Sequence, residues 1–336
     1  MLAGYIGQED RLQALHAAII AAKATQNRLP NMLIVGKPGV GKTHLAYAIA
    51  EEMESDIITV HGPSIMERKN LTDKIMEAEG QILFIEEIHS LNRSLAEDLY
   101  SVIDENVITM ETPVKRKATV SRYYAEKKSL PAGFEQLWEG AGIYTVSDEV
   151  DSDEVTIARV PLAPLTIIGA TTDEALLPEA FHSRMSSLKV FLRDYTLIEL
   201  STIGTLHADD IGIGLTGEAA MLLANRSRFN PRRMKHLVER SADVAIAVGE
   251  SEVAAGAAET ALEALGVDRL GLEPPHRAIL LALRDAGGSM SRTSLGQRLG
   301  IPSRNLDYYW GDLISQGLVN VDTRHRLTVD GQNAIT

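Results

Sequence analysis

The sequence predicts an α/β fold, a parallel sheet covered by helices on both faces, followed by a helical domain and a C-terminal winged helix. Three observations predict it. Short apolar runs alternate with helical stretches through the first 194 residues, and continuous apolar strands belong to parallel sheets buried on both faces. Strand-like runs then stop, and residues 196 to 265 read as all-helical. The last sixty residues read helix, helix, helix and β-hairpin.

Residues 8 to 25 form the first predicted helix, with Leu12, Leu15, Ile19 and Ala22 at helical spacing. Met32-Leu33-Ile34-Val35 follows as a buried strand between Pro30 and Gly36, and residues 42 to 53 return to helical periodicity. Ile57 to Val60, Ile82 to Ile85, Leu165 to Ile168 and Leu188 to Phe191 complete the strands. Three domains result: residues 1–194, a helical domain over 195–265, and a winged helix over 266–336. A charged excursion at about 113–159 interrupts the first. It crowds Lys115, Arg116, Lys117, Arg122, Lys127 and Lys128 ahead of aromatic residues and an acidic run from Asp148 to Glu154. It reads either as a solvated loop or as an element that docks a partner or touches DNA.

Composition narrows the function. The 336 residues are 45% apolar, ample for cores, and include no cysteine, which excludes disulfides, thiolate zinc sites and cysteine nucleophiles. No run of about 18 apolar residues is present, and the first residues carry no basic-then-apolar leader pattern. The expectation is a cytoplasmic protein with no membrane partner. A net charge of −13 argues against a general polyanion binder but leaves room for one local basic surface.

Gly36-Lys37-Pro38-Gly39-Val40-Gly41-Lys42-Thr43 fits the P-loop pattern, and a strand precedes it and a helix follows. Glycines let the loop curl so that its N–H groups face phosphate oxygens. Lys42 supplies a charge for the β- and γ-phosphates, Thr43 offers a hydroxyl to Mg²⁺, and the following helix aims its positive end at the same phosphates. ATP and Mg²⁺ are the implied ligands. The apolar strand ending in Glu86-Glu87 is a Walker B pattern, in which Glu86 holds the metal through water and Glu87 polarises the attacking water. Most such pairs begin with Asp, and Mg²⁺ demands near-ideal octahedral geometry, so the longer Glu86 raises the question of weaker metal binding or slower turnover. Thr171-Thr172 follows a strand where a sensor of the γ-phosphate is expected, and Thr172 is the candidate. Arg184 precedes the last strand and Arg232 opens a helix of the second domain. Each alone would read as an ordinary surface arginine.

Several segments together resemble RuvB, the bacterial Holliday-junction branch-migration family of AAA+ ATPases. They are Tyr5-Ile6-Gly7-Gln8, Leu83 to Asn92, Ile168-Gly169-Ala170-Thr171-Thr172, Pro231-Arg232 and Leu265 to Leu272. The resemblance implies that Tyr5, Ile6 and Tyr195 line the adenine. It implies that Thr172 is the first sensor, Arg184 a finger into a neighbouring subunit and Arg232 a second sensor from the helical lid. It further implies a hexameric ring that pulls duplex or branched DNA in recombination and repair. Three departures mark a diverged relative, cellular or phage-borne. The first acid is Glu86. His182 stands where the family has an arginine two places before its finger. The excursion at 113–159 replaces the short β-hairpin that grips a junction-binding partner, which puts the usual partner in doubt.

In the winged helix, Ser303 to Ile314 is the predicted groove-entering helix, and Leu318 to Val321 pairs with Arg326 to Val329 as the wing. Arg304, Arg324, His325 and Arg326 are the candidate phosphate contacts. A protein–protein module is the other reading of this domain. For the whole chain, the rivals to a DNA motor are an AAA+ loader or switch that assembles a partner on DNA, and an ATP-binding adaptor with weak hydrolysis.

Overall fold

The computed structural model describes residues 2, 4–113, 135–136, 144–146, 155–185, 187–321 and 325–335. They form two compact units, Met1–Arg193 and Asp194–Thr336.

The first unit runs α1 (Glu9–Thr25), β1 (Met32–Val35), α2 (Lys42–Glu52), β2 (Ile57–His61), α3 (Arg68–Glu77), β3 (Ile82–Glu86) and α4 (Arg93–Glu105). It continues through β4 (Val107–Pro113), β5 (Glu135–Gln136), β6 (Tyr144–Val146), β7 (Val155–Pro161), β8 (Thr166–Thr171), α5 (Glu179–Arg184) and β9 (Leu188–Phe191). The main sheet has the order β2-β3-β8-β1-β9 and is parallel throughout. Its inner strands are the apolar runs: all six residues of β8 are buried, as are Met32 to Ile34 of β1 and Ile82 to Ile85 of β3. Burial falls on the edge strands β2 and β9. Leu33, Leu83, Ile85 and Ile167 share one core with Leu71 and Ile75 of α3, Leu95, Leu99 and Val102 of α4, and Phe181 of α5. Burial of this size drives the fold at about 25 cal/mol per Å² of apolar surface.

This order brings together the carboxyl ends of β3, β8 and β1, where ligands of open α/β sheets bind. The described part of the charged excursion belongs to a second sheet. It is rooted on an antiparallel ribbon in which β4 pairs β7 from Val107↔Pro161 to Pro113↔Val155, with β6 and β5 extending the sheet. Arg159 bonds Glu105 at the end of α4. The basic cluster from Lys115 to Lys128, Trp138 and the acidic run lie outside the described residues.

The second unit contains α6 (Leu197–Asp210), β10 (Gly214–Leu215), α7 (Gly217–Arg226), α8 (Pro231–Ala247), β11 (Glu252–Val253) and α9 (Ala255–Ala264). Then come α10 (Pro274–Asp285), β12 (Ser289–Met290), α11 (Arg292–Leu299), α12 (Ser303–Ser315), β13 (Val319–Val321), β14 (His325–Leu327) and α13 (Val329–Asn333). Two expectations are corrected. Residues 196 to 265 are not all-helical, because β10 and β11 pair in parallel over two residues each, too short a run to show a period. The wing strand ends at Leu327 and not at Val329, because the Thr328 side chain accepts from the Gly331 N–H and caps a new helix, α13. The wing also gains a third strand, β12, paired to β14. Leu280, Leu283, Leu295, Leu306, Trp310, Leu313 and Val319 fill the core of the winged helix.

Candidate nucleotide site

Between β1 and α2 the loop from Gly36 to Gly41 turns twice through left-handed backbone, with φ +77° at Gly39 and +98° at Gly41. Glycine takes these values at no steric cost. At Gly36 the need is space: a Cβ there would lie 2.8 Å from Val40 Cγ1 and 3.1 Å from Leu192 Cβ. Lys42 opens α2 and lays its ammonium on the loop, donating to the carbonyls of Gly36 at 2.7 Å and Lys37 at 3.0 Å. A phosphate would give this ammonium a charged acceptor, a stronger one than either carbonyl. Pro38 is exposed and Val40 buried, so one faces solvent while the other anchors the loop.

Glu86 ends β3, and its carboxylate accepts a hydrogen bond from the Thr43 hydroxyl at the start of α2. Its other oxygen stands 3.9 Å from His61 Nδ1 at the end of β2. A hydroxyl and a carboxylate that converge are the oxygen donors a hard cation takes, so the pair fits Mg²⁺. Glu87, the next residue, is exposed and left-handed at φ +50°, ψ 45°. That conformation is uncommon for a residue with a long side chain. Ser90 holds it, donating to the Glu87 carbonyl from N at 2.8 Å and Oγ at 2.7 Å. Gly62 packs against the same point: a Cβ there would lie 2.5 Å from Ser90 Oγ and 2.6 Å from the Glu87 carbonyl.

At the end of β8 the two threonines part. Thr171 is buried, its hydroxyl donates to the Asp173 carbonyl at 2.9 Å, and His89 Nδ1 lies 2.9 Å from it. With the hydroxyl proton committed to Asp173, His89 is the donor. Thr172 is exposed just beyond. The histidine therefore ties the loop after the acid pair to the end of β8.

Tyr5 stacks on His44 of α2 with ring centres 5.6 Å apart, which places Tyr5 and the half-buried Ile6 beside that helix. The segment is fastened by Gln8, fully buried, whose amide donates to the Arg193 carbonyl at 2.7 Å and accepts from Arg193 N at 3.0 Å. Arg184, the last residue of α5, is held by Asp104 and Tyr100 of α4.

The remaining predicted residues belong to the second unit. Tyr195 is buried. Arg232 is exposed in the first turn of α8, whose cap, Asn230, accepts from Arg233 N at 3.3 Å. Its neighbour Arg233 turns inward instead, bonding Glu273 and the carbonyls of Gly271 at 3.0 Å and Arg226 at 3.3 Å. Arg326 is exposed on β14, and Arg304 lies on α12. The side chains of Arg304 and His325, and all of Arg324, lie outside the described residues.

A parallel sheet of this order, with a P-loop leaving β1, an acid pair ending β3 and a threonine ending the strand between them, defines an AAA+ ATPase. Comparison with known proteins places it within that class. Residues 1–123 match the Holliday junction DNA helicase RuvB P-loop domain, and residues 195–268 match the RuvB AAA lid domain. The Holliday junction branch migration complex subunit RuvB of Kosmotoga olearia is 30% identical over 327 residues, covering 96% of this chain and 84% of that protein. Its counterpart from Fervidobacterium nodosum is 29% identical over 333 residues, covering 98% and 85%. The solved structure of the Thermotoga maritima RuvB Holliday junction branch migration motor superposes with a TM-score of 0.76 at 26% identity, covering 98% of this chain and 95% of that one. The chain belongs to the RuvB family and is an ATP hydrolase.

Sequence reasoning missed four residues: Gly62 and His89, which hold the loop after the acid pair, and Tyr100 and Asp104, which hold Arg184. His89 was visible within the Glu-Ile-His segment without a role. The other three carry no local signal, because each acts on a residue distant in the chain.

Proposed function

We propose that this chain is the ATP-driven motor subunit of a complex that moves branched duplex DNA, as in Holliday junction branch migration. The observation that carries the reading is the convergence of Lys42, Thr43, Glu86 and Glu87 at one sheet edge in a chain of this family. Lys42 holds the β- and γ-phosphates of ATP, with the loop N–H groups of Gly36 to Gly41 around them. Thr43 and Glu86 hold Mg²⁺, which when bound neutralises charge on the phosphate oxygens. Glu87 accepts a hydrogen bond from the attacking water, and its strained backbone keeps it at one height above the strand end. Thr172 senses the γ-phosphate. Tyr5 and Ile6 line the adenine. Arg184 completes a neighbouring subunit's site in a ring, by analogy a hexamer. Tyr195 and Arg232 are assigned to the nucleotide by the family resemblance. In the winged helix, Arg304, Arg324 and Arg326 contact the DNA backbone, giving salt-sensitive binding with little sequence preference. The excursion at 113–159 docks a partner protein, and the site of action is the cytoplasm.

The test is ATP turnover with and without a four-way DNA junction, on protein of measured mass, together with strand exchange. A motor hydrolyses faster with the junction and moves strands. Turnover indifferent to DNA, with ATP-gated capture of a partner protein, would replace the motor by a loader.

A further inference from the structure

The guanidinium of Arg184 is held on three sides within its own subunit. Its Nε donates to Asp104 Oδ2 at 2.7 Å, and Nη1 donates to the Ala180 carbonyl, one turn back on α5, at 3.1 Å. Its Cζ stands 4.3 Å from the centre of the Tyr100 ring. Tyr100 and Asp104 are four residues apart on α4 and so share one helix face. The ring packs edge-on against the buried Phe181 of α5, centroids 5.3 Å apart. The helix is itself seated at its start, where Asn92 accepts from Leu95 N at 2.9 Å directly after the acid-pair loop.

We propose that Tyr100 and Asp104 are positioning residues for the intersubunit finger. Resting on the Arg184 reading above, the inference adds how the finger is aimed. An arginine loses many rotamers when it engages a phosphate, and one already held loses few. Each contact leaves donors over. Face-on stacking occupies none of the N–H groups, Asp104 takes the Nε proton, and Ala180 takes one proton of Nη1. Both Nη2 protons and one on Nη1 remain for an acceptor from outside. The carboxylate sets the rotation of the planar fork, and the ring sets its height above α4. Asp104 offsets part of the finger's charge, and its exposure to water keeps the pair weak enough for an outside acceptor to compete.

The test uses the full chain, assembled with DNA and saturating ATP. Asp104→Ala and Tyr100→Leu are expected to lower kcat about tenfold or more, since small misplacements of a reacting group cost that much. The KM for ATP should change little, because neither residue touches the subunit's own nucleotide. Tyr100→Phe keeps the ring face and should stay within about twofold of the parent. Mixing either impaired variant with Lys42→Ala, whose finger and clamp are intact, should recover activity. In an Arg184→Ala background, adding Asp104→Ala should cost nothing further. Impaired variants that do not recover on mixing have a damaged site of their own, which overturns the proposal. Raised turnover in Asp104→Ala would make the contact a restraint, and overturns it too. If Tyr100→Leu does not fold, Asp104→Ala, at an exposed position, decides alone. Parental turnover in Arg184→Ala sinks the finger reading itself. A collapse there, with full activity in Asp104→Ala and Tyr100→Leu, sinks only the positioning.

Discussion

One methylene separates Glu86 from the aspartate usual at its position, and in this chain the extra length is used. The carboxylate spans from the end of β3 to the Thr43 hydroxyl at the start of α2. If that contact marks a site built around the longer acid, Glu86→Asp should lower turnover and raise the Mg²⁺ concentration for half-maximal rate several-fold, read from ATPase titrations with the metal. An unchanged or faster enzyme would contradict that construction. Glu87 sits one residue on, exposed. In the proposed site Glu87→Gln removes the acceptor for the water proton but keeps the shape, so ATP binding should persist while hydrolysis falls by about 10²-fold or more. Nucleotide binding by isothermal titration, set beside single-turnover rates, separates the two.

The loop after β8 and helix α5 are joined by a small ionic cluster. Glu174 accepts from Lys189 Nζ on β9 and from His182 Nδ1 on α5 at 3.0 Å. His182 thus ties the helix that carries Arg184 to the loop that follows Thr172. The Lys189 hydrogen bond holds the Glu174 carboxyl below its ordinary range, against a smaller opposing effect of burial. A carboxyl whose pKa is depressed on folding stabilises the fold above its unfolded pKa, and that stabilisation is lost as pH falls through the folded value. Glu174→Gln should therefore cost about 1 kcal/mol near neutral pH. The gap to the parent should close as the pH drops below the usual glutamate range of about 4.3. Urea unfolding across that range reads it, and a gap independent of pH would show that the cluster contributes through packing alone.

On the scale of the whole molecule, the second unit joins its helical part to its winged helix through charged side chains. Arg228, only 5% exposed, pairs with Asp312 of α12, which is 32% exposed. His276, fully buried on α10, lies 3.3 Å from the same carboxylate. Arg233 pairs with Glu273, and Arg277 with Asp268 at 2.9 Å. Arg228 and Phe229 both have left-handed backbone, φ +53° and +57°, in the turn that leads into Asn230 and α8. The helix read as entering a DNA groove is thereby tied to the strained turn that launches Arg232. Breaking the pair should be asymmetric. Asp312→Ala leaves a buried guanidinium without its carboxylate and should cost about 3 kcal/mol. Arg228→Met leaves a partly solvated carboxylate and should cost nearer 1 kcal/mol. Trp310, buried on α12, reports the unfolding once Trp138 is replaced by Phe. Equal costs for the two substitutions would mean that burial of Arg228 does not set the energetics.

The P-loop, the acid pair and the inner strands were legible because each is written in consecutive residues. A strand buried on both faces must be apolar throughout, and a phosphate loop needs its glycines beside its lysine. Thr172 and Arg232 were picked out in the sequence, but what occupies the neighbour of each, Thr171 and Arg233, lies elsewhere in the chain. Thr171 is taken up by His89, 82 residues away, and Arg233 by Glu273, 40 residues away, which leaves Thr172 and Arg232 exposed. The Glu86–Thr43 contact spans 43 residues and the Arg184–Asp104 contact 80. The two-residue strands β10 and β11 likewise exist only through their pairing. A hydrophobic period encodes which face of a helix is covered and says nothing of what covers it. The nucleotide-site motifs are local and were read from the sequence, whereas the contacts that hold Arg184, the seat of Glu87 and the tie between α12 and the turn before α8 arise where distant segments pack, and the tertiary structure alone decides them.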